Sequence, residues 1–164
     1  MDKKIPQNIS TKDLAEKIEK IKKDKLKEKK IVSLNDYRRA TKPHYLLVVD
    51  DDTTTQNAIR RIFEKEGYQV LTAADGTELV RILELHPLDA ILLDIKLPWV
   101  DGYELCKLIK QHEEFKNIPL VFLSGKKSEI EVKKGFEMGC DEYVTKPFDI
   151  EAIKKTVKDL IRLK

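Results

Sequence analysis

A chain of 164 residues that is 41% hydrophobic and 37% charged can build one domain with a sizeable core and an appendage, and it holds no apolar run long enough to span a bilayer. The net charge of +3 hides an asymmetry: residues 1–43 carry 14 Lys+Arg against 7 Asp+Glu, or +7, and the remainder carries 18 against 22, or −4. No apolar stretch follows the charged start MDKKIPQ, which excludes a secretory signal, and the two cysteines, Cys106 and Cys140, fit no zinc or CxxC spacing and read as reduced packing residues of a cytoplasmic protein.

The first predicted element lies in this basic arm. Ser10-x-x-Asp13 ahead of Leu14 resembles a capping box, and Leu14, Ile18 and Ile21 share one helical stripe. Asp13/Lys17, Glu16/Lys20 and Glu19/Lys23 are favourable i,i+4 pairs. The stripe fails where Lys25 and Glu28 replace apolar residues, and residues 31–43 have no period, so the arm reads as a short charged helix and a linker that Pro43 closes. Residues 44–164 form the domain.

From Tyr45 onward, apolar runs alternate with helical patterns. Strands are predicted over 45–50, 68–73, 89–94, 118–124 and 142–145. Helices are predicted over Thr54–Glu66, Thr77–Leu85, Tyr103–His112, Ser128–Met138 and Asp149–Leu163, with Gly67 and Gly139 as stops. The runs LLVV, AILL and LVFL do not alternate, as strands buried on both faces should not. Five strands alternating with five helices argue for an α/β fold with a parallel sheet covered on both sides. The sequence stops with the fifth of these helices, so no output domain is expected. No internal repeat is present.

Ligands of open parallel sheets bind beyond the carboxyl ends of the strands. There the first strand runs into Asp50-Asp51-Asp52, the third into Asp94, the fourth into Ser124-Gly125 and the fifth into Lys146-Pro147. Three adjacent acids need a reason, since two unit charges about 4 Å apart repel by about 4 kcal/mol at an effective dielectric near 20. A solvated turn, a helix cap or a bound cation would each serve. Carboxylates suit Mg²⁺, while a lysine and a hydroxyl suit phosphoryl oxygens. Taken singly, each residue is an ordinary turn or capping residue; the joint placement at four strand ends is what carries weight.

LLVVDD, ILLDIKLPWVDG, LVFLSG and YVTKPF, in this order and spacing, resemble the receiver domain of two-component response regulators. The resemblance covers residues 45–164 and implies a doubly wound, flavodoxin-like (βα)5 sheet of strand order 2-1-3-4-5. It implies that Asp94 is the phosphoacceptor, taking its phosphoryl group from a sensor histidine kinase or a histidine phosphotransfer protein. Asp51, Asp94 and the backbone carbonyl of Lys96 would ligate Mg²⁺, with Asp50 holding a metal-bound water. Ser124, Gly125 and Lys146 would contact the phosphoryl group, and the Lys146–Pro147 bond would be cis. Asp52 is left with a capping role.

Ser124 and Tyr143 match the switch pair of the family, in which the hydroxyl moves inward and the aromatic follows. Ser124 lacks the methyl of the more usual threonine, and Gly125 replaces the usual alanine, which opens the site. Trp99 and Val100 stand where methionines are common; Trp99 reads as a partly exposed docking residue or as a cover for the helix after it. Lys96 and Lys126 would flank the path of the hydrolytic water and so tune the lifetime of the phosphate. The chain is then not an enzyme but a phosphorylation-controlled surface, presenting residues 128–164 or the arm to a downstream protein.

Other readings fit less of the sequence. Asp50-x-Asp52-x-Thr54 also matches the nucleophile motif of haloacid-dehalogenase-type phosphatases, with Asp50 as nucleophile and Asp52 as general acid. That reading lacks the acidic pair needed after the lysine and leaves Asp94 unexplained. The arm, basic as it is, interleaves acids with its lysines and has one aromatic, Tyr37, which speaks against nucleic acid; its two-turn stripe speaks against a membrane. A solvated tether or a protein-docking segment remains. No nucleotide-binding loop or catalytic triad is present, and His44, His86 and His112 sit at element ends, where surface histidines are found.

Overall fold

In the computed structural model, residues 9–25 and 43–164 are described. The apolar runs form β1 (Tyr45–Val49), β2 (Gln69–Ala73), β3 (Ala90–Leu93), β4 (Leu120–Ser124) and β5 (Glu142–Thr145), and the helices between and after them are α2 (Thr53–Lys65), α3 (Gly76–Leu85), α4 (Gly102–Gln111), α5 (Glu129–Glu137) and α6 (Ile150–Arg162). An α1 (Thr11–Lys25) precedes them in the arm. All five strands are parallel, in the order β2-β1-β3-β4-β5 that the resemblance implies.

Successive residues of each strand feed opposite layers. Leu47, Val49, Ile91, Leu93, Leu120 and Phe122 join a cluster with α1, α3 and α4. Leu46, Val48, Leu92, Val121 and Leu123 join Ile59 and Phe63 of α2 and Ile153 and Val157 of α6. Both faces are therefore dry, which explains why the strand sequences do not alternate.

Helix starts and stops follow local chemistry. Asp52, Asp75, Asp101, Ser128 and Asp149 cap α2 to α6, each accepting backbone N–H bonds of the first turn. Both predicted glycine stops hold, Gly67 and Gly139 adopting φ of 87° and 102°. Gly102 has a different reason to be glycine: a Cβ there would lie 2.5 Å from the Ile95 Cα and 2.6 Å from the Asp94 carbonyl oxygen. The start of α4 is thus pressed onto the turn that follows β3, and it fixes where that turn can go.

The arm departs from a solvated tether over residues 9–21. Ser10 caps α1, its Oγ accepting the Asp13 N–H at 3.1 Å and donating to Asp13 Oδ2 at 2.8 Å. The stripe Leu14, Ile18 and Ile21 is fully buried, inside the same cluster as Leu79 and Leu83 of α3. Each such side chain contributes about 1.5–3 kcal/mol by leaving water, enough to hold a helix that would be marginal alone. The predicted linker lies outside the described residues.

His112, expected at the surface, is buried at the end of α4. Its Nδ1 accepts the Glu114 N–H at 3.2 Å and its Nε2 lies 2.8 Å from the Ile18 carbonyl of α1. Both ring nitrogens are thus engaged, and the imidazole ties the end of α4 to α1. Cys106 and Cys140 are buried free thiols, both pushed up to about 12 by burial, and serve as packing residues.

Candidate functional site

The carboxyl ends of β1, β3, β4 and β5 bring their polar side chains to one edge of the sheet. Ladder bonds fix their places: the Asp94 N–H donates to the Val49 carbonyl at 2.9 Å, the Asp50 N–H to Ala73 at 3.1 Å, and the Lys146 N–H to Ser124 at 2.8 Å. Asp50, Asp94 and Lys146 are therefore each the first residue past a strand and Ser124 is the last of one, held by the sheet rather than by a free loop.

Asp50 is the buried acid of the group. Its Oδ1 accepts the Asp52 N–H at 2.8 Å, its Oδ2 accepts from Lys146 Nζ at 2.9 Å, and its carbonyl accepts from Gln56 Nε2. Asp51 is exposed beside it. Asp52 turns away to cap α2, and the Thr55 hydroxyl and Thr54 N–H that it accepts hold its carboxyl below the usual range. Its expected capping role is what the geometry shows. A nucleophilic role for Asp50 sits poorly with both its oxygens being engaged in bonds within the fold.

Asp94 is half-buried, with Oδ1 accepting the Lys96 N–H at 3.3 Å and Oδ2 lying 3.6 Å from Lys146 Nζ. Burial raises its carboxyl above the usual value, Lys146 pulls it back, and Asp50 adds to the rise. Burial works against the charge of Lys146, but the hydrogen bond and charge of Asp50 and the charge of Asp94 outweigh it and the net shift is upward. One ammonium thus spans two of the three acids. Carboxylate oxygens of Asp50, Asp51 and Asp94 lie within 4.8 Å of one another, a spacing that a hard divalent cation could bridge.

Around this centre the other predicted residues fall unevenly. Ser124 is buried at the end of β4, its Oγ accepting the Lys126 N–H at 3.2 Å, and Gly125 faces open space. The Lys146–Pro147 bond is cis. Tyr143 donates its hydroxyl to the Lys126 carbonyl at 2.8 Å and packs its ring on Phe122. Lys96 is exposed. The Lys126 ammonium is drawn away from the acids to Glu131 at 3.3 Å, with Tyr103 of α4 donating its hydroxyl to the same carboxylate. Neither Glu131 nor Tyr103 is expected at the site from the sequence: each belongs to a regular helical pattern, and only the fold brings them together. Trp99 is 8% exposed and donates its indole N–H to the Ala74 carbonyl at 2.9 Å, so it is a covering residue and not a partly exposed docking one.

The sequence of residues 46–158 matches the response regulator receiver domain family. The chain belongs to that family. The aerobic respiration control protein ArcA of Escherichia coli (strain K12) is 35% identical over 119 residues, 73% of this chain and 48% of its own length. The chain therefore spans about half the length of the first curated relatives it matches. Among solved structures, the receiver domain of a Francisella response regulator superimposes with a TM-score of 0.68 at 32% identity, covering 74% of this chain and 99% of that one. The receiver domain of a Pseudomonas aeruginosa sensor histidine kinase, solved with a magnesium ion coordinated in its active-site cleft, has a TM-score of 0.66 at 28% identity, covering 73% and 98%. As a receiver, this chain is a module of two-component signalling. None of the helices among the described residues is long and apolar enough to cross a membrane.

Proposed function

We propose that this receiver accepts a phosphoryl group on Asp94 from the phosphohistidine of a sensor histidine kinase or a histidine phosphotransfer protein. In this transfer an Asp94 carboxylate oxygen bonds to phosphorus, the phosphorus–nitrogen bond breaks, and the imidazole leaves with the electron pair and takes up a proton. The reading is carried by one observation: Lys146 Nζ lies 2.9 Å from Asp50 and 3.6 Å from Asp94, at the mouth of an acidic cluster built on strand ends. A rigid cluster of this kind suits phosphoryl transfer, where positioning and charge neutralisation do most of the catalysis.

The donor set fits Mg²⁺: Asp51, Asp94 and the Lys96 backbone carbonyl would hold it, with Asp50 acting through a water. When bound, it neutralises charge on the phosphoryl oxygens. Lys146, freed from Asp94 as that carboxylate becomes an acyl phosphate, pairs with a phosphoryl oxygen. The Ser124 hydroxyl and the Gly125 backbone N–H meet the others. Tyr143 follows Ser124 inward once its hydroxyl leaves the Lys126 carbonyl. Residues 128–164 then present an altered face to a downstream protein in the cytoplasm, with residues 44–164 as the receiver and residues 1–43 as an arm ahead of it whose α1 packs back onto α3. The chain serves as acceptor and not as an enzyme.

The test is intact mass after incubation with a small phosphodonor and Mg²⁺. Wild type gains one phosphate and Asp94→Asn gains none. Labelling that survives Asp94→Asn and disappears in Asp50→Asn would replace this reading with the phosphatase one.

A further inference from the structure

The docking of α1 is not needed to complete the sheet, yet it reaches the turn that carries Asp94. Its stripe packs on α3, and the Ile18 carbonyl accepts the His112 N–H at the end of α4. Ahead of the helix, Ile9 lies so close to Gly76 that a Cβ there would overlap its Cγ2, and the same Cβ would lie 3.2 Å from the Trp99 ring. Ile9, the first turn of α3 and Trp99 therefore form one tight stack. Trp99 is five residues from Asp94, on a turn closed by the Lys96–Asp101 bridge and pinned by Gly102. A close-packed stack passes displacement on rather than absorbing it.

We infer that α1 is a positioning element for the phosphoacceptor turn: docked on α3 and α4, it holds Trp99 through Ile9, and thereby the Lys96 backbone, so that docking of α1 and loading of the Asp50–Asp51–Asp94 cluster are linked. The inference rests on the metal-binding phosphoacceptor reading of that cluster. Linkage is reciprocal: whatever factor docking adds to Mg²⁺ affinity, Mg²⁺ adds to docking.

Trp99 is the chain's one tryptophan and reports on the stack directly. Three full-length variants separate the steps: Leu14→Gln with Ile18→Gln undocks α1, Ile9→Gln cuts the stack while α1 stays docked, and Ile9→Val restores it. Trp99 emission should shift to the red in the first two without any metal. Their Mg²⁺ dissociation constants should rise about fivefold, and Ile9→Val should match wild type. In wild type, Mg²⁺ should slow amide exchange over residues 11–21 by the same factor. Exchange there that ignores Mg²⁺, or an affinity unchanged in Ile9→Gln, overturns the inference alone. A wild type that does not bind Mg²⁺ overturns the site reading and this inference together.

Discussion

The carboxyl edge of the sheet and the face that carries α1 solve opposite problems. At the edge, three carboxylates and one ammonium are crowded together, and burial lifts Asp94 towards its neutral form. At the face, Leu14, Ile18 and Ile21 bring no reactive group and leave water completely. The edge holds a readiness for chemistry at a cost in stability, and the face returns stability without chemistry. The pairing suggests why a receiver could carry an extra helix on the side of the sheet where the Asp94 turn enters α4.

The largest effect expected from this contrast is at the face. Leu14→Ala should lower the opening free energy of residues 11–21 by about 2–4 kcal/mol, the range for an emptied leucine site that partly collapses. Amide exchange measures it residue by residue, and β4 amides should keep their protection. Equal losses in α1 and β4 would show that the two regions open as one unit, and the contrast between them would dissolve.

At the edge, the opposite sign is expected. Because the folded state raises the Asp94 carboxyl above 3.8, its ionised form costs stability. That group's contribution is most favourable below 3.8, where the carboxyl is neutral in both states, and is lost as pH rises through the folded value. Asp94→Asn in Mg²⁺-free buffer should therefore melt higher than wild type at pH 7, and the gain should fade as pH drops towards 3.8. A lower melting temperature at pH 7 would mean that the pairing with Lys146 outweighs burial, and that the edge is not a strained region.

The same contrast governs what could be read from the chain. Asp50, Asp94 and Ser124 were legible because each ends a run that is buried, and Lys146 because it follows the last strand, so the place of each at the sheet edge follows from the fold class. The strand order follows from the resemblance to the receiver family and not from any local signal, whereas the starts of the last two helices, at Ser128 and Asp149, follow from local chemistry. Contacts between distant helices were not legible. Nothing near His112 announces the Ile18 carbonyl 94 residues away, and a two-turn stripe does not say which face it will meet. Lys126 shows the limit within the site itself. Its backbone lies beside Ser124 as expected, but its ammonium goes to Glu131, which the fold alone supplies.

The smallest expected effect tests whether edge side chains without a fixed partner set the lifetime of the signal. Lys96 lies two residues past Asp94, exposed, with its N–H on the Asp94 carboxylate. From there its long side chain can crowd the line along which water would attack an acyl phosphate, or pair with the phosphate and shield it. It cannot orient that water as a carboxamide can. Lys126 is the weaker candidate, since Glu131 and the Tyr103 ring already hold its ammonium. Lys96→Asn should therefore speed loss of phosphate several-fold, each tenfold change corresponding to about 1.4 kcal/mol of barrier. Phosphate remaining over time after removal of the donor, at fixed Mg²⁺ and pH, gives the rate. A lifetime unchanged or longer in Lys96→Asn would make Lys96 a solvated surface residue, and would leave the turn that α1 supports, not its side chains, as what governs persistence.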